Sequence, residues 1–156
     1  MPDHTDIPFE PLRQEIEEML ANGTHLVLAT SAGGRVTART MSYVNAGMEI
    51  YFQTGKGSTK YEQILANPRV ALCLGNLQIE GEAEALGHPF CEANRAFCRL
   101  YRQKHPSAYE LYSHREDEVV ICVRPMLCAL WKYVEGRPCR EFLDLVGGRA
   151  FREDYR

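Results

Sequence analysis

The chain has 156 residues, is 45% hydrophobic and carries a formal net charge of −3, so it is long enough for one core without staples and is read as a single domain over 1–156. No apolar run is long enough to cross a bilayer, and no basic segment followed by an apolar stretch opens the sequence. Lys and Arg are scattered rather than clustered, which excludes a duplex-binding footprint and leaves room only for a local cationic site; a cytoplasmic protein is expected, with no membrane or nucleic-acid partner.

Phe9, Leu12, Ile16, Met19 and Leu20 recur at helical spacing, predicting an amphipathic helix over 9–22 that stops at Asn22-Gly23. Strands follow over 24–30, 35–44 and 48–54, joined by the turns Ser31-Ala32-Gly33-Gly34 and Asn45-Ala46-Gly47, as in an antiparallel meander. Thr59 and Glu62 have the spacing of a capping box, with Thr59 as N-cap, and Asn67-Pro68 ends the short helix that it starts. A strand is expected over 69–74. After a turn at Gly75-Asn76, Leu77, Ile79, Gly81, Ala83 and Ala85 alternate with Gln78 and three glutamates as a half-exposed strand.

Pro89 is expected to open a second long helix, with Phe90, Ala93, Phe97, Leu100 and Tyr101 on one face and an end at His105-Pro106. Two further strands, 118–123 and 126–134, flank Arg124-Pro125, and 135–156 reads as a C-terminal tail, apolar at Phe142 to Val146 and otherwise charged. The fold class is therefore mainly β with inserted helices: six to seven antiparallel strands in a closed or partly closed barrel.

The six cysteines form no CxxC pair and no zinc-finger spacing with histidine, so reduced thiols are expected. Cys73, Cys122 and Cys128 read as small core residues, Cys91 and Cys98 as sharing a helix face, and Cys139 as an unremarkable thiol in the tail. No catalytic triad or acid–base pair is visible, and His25 reads as structural.

The most informative segment is Phe52-Gln53-Thr54-Gly55-Lys56-Gly57-Ser58-Thr59-Lys60, which runs strand, glycine loop, helix start. Free N–H groups and the helix dipole favour an anion there, and Lys56, Lys60 and the hydroxyls of Thr54, Ser58 and Thr59 suit a phosphate monoester. It is not a P-loop: Ile50 stands where the first glycine is required, and Gly57 precedes Ser58 rather than lysine. Taken alone, the segment slightly favours a capped helix with two solvated lysines, because capping boxes are common. Arg39 lies mid-strand on the side of Thr37, Met41 and Tyr43, where an arginine either pairs with an anion or snorkels to solvent. If its strand pairs with 48–54, Arg39 and Lys60 can grip one phosphate together.

The succession Arg39-Thr40-Met41, Tyr51-Phe52-Gln53-Thr54, Gly57-Ser58-Thr59-Lys60 and Gln63-Ile64-Leu65-Ala66-Asn67-Pro68-Arg69-Val70-Ala71-Leu72 resembles the pyridoxamine 5′-phosphate oxidase-like superfamily of FMN-binding split barrels. The resemblance runs from about Leu26 to Leu86 and continues weakly to Val134. It implies a homodimer with FMN at the subunit interface. Arg39 and Lys60 would hold the phosphate with Ser58 or Thr59. Thr40 and Met41 would run beside the flavin ring, Gln53 and Thr54 would contact the ring or ribityl chain, and Asn76 or Gln78 would reach in from the second subunit; for Gln78 an outward polar position is preferred.

The C-terminal substrate motif of true pyridoxamine phosphate oxidases is matched only loosely at Trp131-Lys132, and Arg137-Pro138-Cys139-Arg140-Glu141 does not reproduce it. Pro138 is expected to disturb a strand there, and Glu141 and Asp144 to repel a phosphate if they face it. The closer likeness is to small bacterial members, including general-stress and nitroimidazole-resistance-like proteins. An FMN-dependent oxidoreductase passing electrons from NAD(P)H to a small-molecule acceptor is thus expected. The alternative is a protein that binds flavin, deazaflavin or haem for storage or stress protection without efficient turnover.

Overall fold

The computed structural model describes residues 3–155; Met1, Pro2 and Arg156, part of the expected 1–156 span, lie outside the described residues. The elements in chain order are β1 (His4–Ile7), α1 (Phe9–Asn22), β2 (His25–Ala32), β3 (Arg35–Ser42), β4 (Val44–Ala46), β5 (Glu49–Gly55), α2 (Thr59–Ala66), β6 (Arg69–Leu74) and β7 (Leu77–Ala85). A 3-10 turn (Glu92–Asn94), α3 (Arg95–Lys104), α4 (Pro106–Tyr112), β8 (Glu118–Val134), β9 (Arg137–Asp144) and β10 (Arg149–Asp154) complete the chain.

The strands form one antiparallel sheet in the order β1-β10-β9-β8-β7-β6-β2-β3, with β5 on the first half of β8 and β4 on β5. The sheet curls without closing, a split barrel rather than a sealed one. Its inner side is filled by Leu26, Leu28, Ile50, Phe52, Leu72, Ile79 and Ile121. Helix α1 packs Leu12, Ile16 and Leu20 onto this core, which contributes about 2 kcal/mol per side chain. Tyr43 is fully buried and donates to Leu20 O at 2.6 Å, locking α1 to the sheet.

Several expectations need correction. The strand expected over 35–44 breaks at Tyr43: β3 pairs only with β2, and β4 turns away to pair with β5. The two strands expected around Arg124-Pro125 are one 17-residue strand, β8. Where β7 steps from Glu80 to Gly81, its partner steps from Leu127 to Pro125, so Met126 is the extra residue of a bulge, the place where a proline without N–H fits a ladder.

The long helix expected from Pro89 begins only at Arg95. Asn94 Nδ2 instead donates to Leu86 O and His88 O, and Phe90 N donates to His88 Nδ1, so side chains satisfy the backbone that a helical turn would have used. Phe90 is left 53% exposed, off the Phe97–Tyr101 face. Pro106 does not merely stop α3; it occupies the first turn of α4, where its missing N–H costs nothing.

The segment read as a tail is mostly sheet. Residues 137–144 and 149–154 form the hairpin β9–β10, and β1 pairs with β10. Pro138 sits within β9, opposite Tyr133, and its carbonyl accepts from Tyr155 N. Cys139 is fully buried, whereas Cys73, read as core, is exposed. Cys91 precedes the 3-10 turn and is not on the α3 face that carries Cys98. Glu141 points inward and is held by Lys132 and, at 2.6 Å, by Arg152. Asp144 accepts from the Val146 and Gly147 N–H groups in the hairpin turn. Neither carboxylate is therefore free to repel a ligand.

Candidate functional site

The loop after β5 delivers the start of α2. The N-cap is Ser58, not Thr59: Ser58 Oγ accepts from Tyr61 N at 3.3 Å, and Ser58 O from Glu62 N at 3.2 Å. Thr54 Oγ1 lies 3.0 Å from Ser58 Oγ, tying the end of β5 to the cap. Thr59 and Lys56 face solvent, while Lys60 is half-buried. Lys60, Gln63 and Ile64 share one face of α2 by their spacing, and Gln63 and Ile64 are buried.

Arg39 emerges from β3 on the inner side that Met41 also occupies; Thr40 is exposed on the opposite side. The guanidinium donates to Leu28 O at 3.3 Å, to Thr30 Oγ1 at 2.8 Å and to Thr37 Oγ1. These three bonds leave two of its five N–H groups uncommitted. Lys60 is close enough for the two cations to feel each other. Burial, and then the Arg39 charge, push the Lys60 ammonium below the usual lysine range, and Glu118 only partly offsets this. Burial likewise lowers Arg39. Among the described residues neither cation has a carboxylate within 4.0 Å. Two half-buried positive groups beside a helix N-terminus, with no carboxylate within 4.0 Å among the described residues, make a candidate anion site.

The second feature is Gln53, 7% exposed on β5. Its Oε1 accepts from the fully buried Ser113 hydroxyl at 2.7 Å, and its Nε2 is the one buried side-chain polar atom among the described residues with no hydrogen-bond partner. An unmade buried N–H bond costs about 1–3 kcal/mol, so the amide is built to meet an acceptor. Glu118, also buried, opens β8 opposite Gly55; burial and then Asp117 raise its carboxyl above the usual range.

Of the residues singled out in the sequence, the structure brings Thr54 and Ser58 into contact and holds Arg39 close to Lys60. Met41 lies on the Arg39 side of β3, Gln53 is adjacent to Thr54 on β5, and Thr59 is exposed beside Lys60. Asn76 is exposed in the β6–β7 turn, at the far end of β6 from the Thr30–Val70 pair, and does not join them within one protomer. Four residues were missed: Thr30, Gln63, Ser113 and Glu118. Only Gln63 left a trace in the sequence, as a polar residue one turn after Lys60 on the buried face of a short helix.

The donor set fits a flavin mononucleotide: cationic N–H groups and hydroxyls for a phosphate, and the Gln53 N–H for an acceptor elsewhere on the molecule. A family model described as pyridoxamine 5′-phosphate oxidase matches residues 12–132. No curated protein sequence matches the chain. Among solved structures, general stress protein 26 from Bacillus anthracis is similar, with 21% identity, a TM-score of 0.67 and coverage of 86% of this chain and 98% of that one. A pyridoxamine 5′-phosphate oxidase-related, FMN-binding protein from Nostoc punctiforme has 14% identity and a TM-score of 0.62, covering 97% and 99%. The haem storage protein HutZ from Vibrio cholerae has 16% identity and a TM-score of 0.62, covering 76% and 91%. These likenesses show the fold.

Proposed function

The chain belongs to the pyridoxamine 5′-phosphate oxidase family, and from that membership we propose that it is an FMN-binding flavoprotein, an oxidoreductase that takes electrons from NAD(P)H to a small-molecule acceptor in the cytoplasm. The observation that carries this reading is the approach of Arg39 to Lys60 at the N-terminus of α2, with no carboxylate within 4.0 Å of either among the described residues and only Glu118 as a more distant opposing charge. A phosphate dianion is the partner that such a pair lacks.

In this reading Arg39, Lys60 and Ser58 hold the phosphate, with Thr59 beside them, and Thr54 steadies Ser58. Gln53, its amide oriented by Ser113, donates to the flavin, and the β3 backbone at Thr40 and Met41 runs beside it. FMN when bound supplies the two-electron chemistry, while the protein positions it and shapes access. We propose that the active form is a homodimer with FMN between subunits. Val27 and Val36 are 40% and 71% exposed on the outer side of β2 and β3, apolar surface that a second copy would cover, and Asn76 would then reach the other subunit's flavin.

Titration of the apoprotein with FMN and with riboflavin tests the phosphate anchor; equal affinity overturns it. An absorbance scan of the purified protein, with mass identification of the released chromophore, distinguishes a flavin from the haem stored by the Vibrio cholerae neighbour. Steady-state turnover of NAD(P)H with an added acceptor separates an enzyme from a binding protein. Sedimentation of the FMN-loaded protein as a strict monomer at micromolar concentration rules out the dimer.

A further inference from the structure

We infer that Gln63, acting through the hydroxyls of Thr30 and Thr37, is the positioning residue that fixes the Arg39 guanidinium toward its anion. This rests on the phosphate-binding reading for its functional meaning, although the geometry stands without it.

Thr30 and Thr37 face each other as direct cross-strand partners on β2 and β3. Gln63 reaches them from α2: its Oε1 lies 2.5 Å from Thr30 Oγ1 and 2.6 Å from Thr37 Oγ1, and its Nε2 donates to Arg35 O at 3.2 Å. Thr30 and Gln63 are buried, at 1% and 5% exposure.

The two hydroxyls also lie 3.2 Å from each other, but the shorter approach of each to Gln63 Oε1 favours one polarity for the network. The bond to Arg35 O fixes which end of the Gln63 amide carries nitrogen, so the oxygen faces both threonines. Each hydroxyl has one proton, and with that polarity both protons go to that oxygen. Both hydroxyl oxygens can then only accept on their other side, where Arg39 donates to them. Turning the Gln63 amide over would aim N–H groups at both hydroxyls and drive their protons against the guanidinium. One helix face thus supplies Lys60 to the ligand and, three residues on, the group that holds the second cation beside it.

The test uses the full-length protein and two readouts. Rotation of the Arg39 guanidinium is followed by nitrogen-15 NMR of the apoprotein, and affinities for FMN and riboflavin are measured in parallel. Wild type and Thr37→Ser, which keeps the hydroxyl, are expected to show hindered rotation. Thr37 is the one partner of Nη2, while Leu28 O and Thr30 hold Nη1, so Thr37→Val and Gln63→Leu are expected to speed rotation about the Cζ–Nη2 bond and to reduce the FMN-over-riboflavin preference about tenfold, with riboflavin affinity unchanged. A merely structural role would weaken both ligands together and leave the rotation hindered.

Persistence of wild-type hindrance about the Cζ–Nη2 bond in Thr37→Val overturns the inference, and this conservative variant decides the matter even if Gln63→Leu does not fold. If wild type itself fails to distinguish FMN from riboflavin, the phosphate reading falls, while the NMR comparison still decides whether Gln63 and Thr37 hold Arg39.

Discussion

Replacing Arg39 by alanine separates an anion-binding role from a structural one. Three of the five guanidinium N–H groups are spent on Leu28 O, Thr30 and Thr37, leaving two for a phosphate. A hydrogen bond to a charged group is worth roughly 1.5–3 kcal/mol, so the two together set an upper range of about 3–6 kcal/mol. Part of this returns, because without Arg39 the remaining Lys60 ammonium is no longer crowded by a like charge. A net loss of about 3 kcal/mol, or roughly two decades in FMN affinity, is expected.

The apoprotein should scarcely notice the change. Thr30 and Thr37 keep Gln63 Oε1 as acceptor, and a repulsive contact is removed, so stability should shift by less than about 1 kcal/mol. Flavin fluorescence titration gives the affinity, riboflavin serves as the control lacking phosphate, and thermal unfolding gives the stability. Arg39→Lys, which keeps the charge but not the fork, is expected to fall between wild type and alanine. Equal losses for FMN and riboflavin, or no loss for either, would refute the reasoning.

Four other outcomes are expected. Because the Lys60 ammonium sits below its ordinary 10.5, FMN affinity should fall as pH rises through that lowered value, and Lys60→Arg should remain flat over the same range in a pH series of titrations. Glu141 is raised by burial but lowered more by Lys132 and Arg152; the stability it contributes is present above the usual carboxyl range and lost as pH falls through its depressed pKa, and Glu141→Ala should cost about 2 kcal/mol in denaturant unfolding, since it removes the charged hydrogen bonds to the half-buried Arg152 while Lys132 keeps Glu15. Gly81→Ala places a Cβ 2.7 Å from Arg124 O and 2.9 Å from Val123 Cγ1 at the β8 bulge, so its melting temperature should drop with a loss of about 2 kcal/mol or more. The FMN-loaded protein should turn over pyridoxamine phosphate well below ~1 s⁻¹ in an oxygen-consumption assay, because Arg140 pairs with Glu153 and lies over the Phe142 and Tyr155 rings rather than awaiting a second phosphate.

The fold was legible where a local signal and its tertiary outcome agree. The Leu12-Ile16-Leu20 stripe makes α1 a core-facing helix, and the alternation in 77–85 places Leu77, Ile79 and Ala83 inward. It was not legible where long-range pairing overrides local pattern. Nothing in Arg35 to Val44 announces that the strand changes partner at Tyr43, whose buried hydroxyl is satisfied only by Leu20, 23 residues earlier. His4–Ile7 is polar apart from its last residue and becomes a strand only because β10 offers an unpaired edge.

The candidate site divides in the same way. Arg39 and Lys60 stand out as charges in half-apolar surroundings, and the glycine loop marks a helix start. Ser113 and Thr30 carry no such mark: a serine after a short helix and a threonine in a strand gain their roles only by meeting Gln53 and Gln63 across 60 and 33 residues of sequence.

The pairing of β1 with β10 brings His4 opposite Glu153, so the two ends of the described chain lie side by side. During synthesis β1 must therefore wait, its edge unpaired, until β10 has been made, about 150 residues later in the chain, which makes closure of this edge a late event in the folding of the domain. The same adjacency marks the domain for circular permutation: a short linker from β10 to β1, with new termini opened at the exposed Gly33-Gly34 turn, would reverse that order and give β1 and β10 a chance to pair before β2 is made.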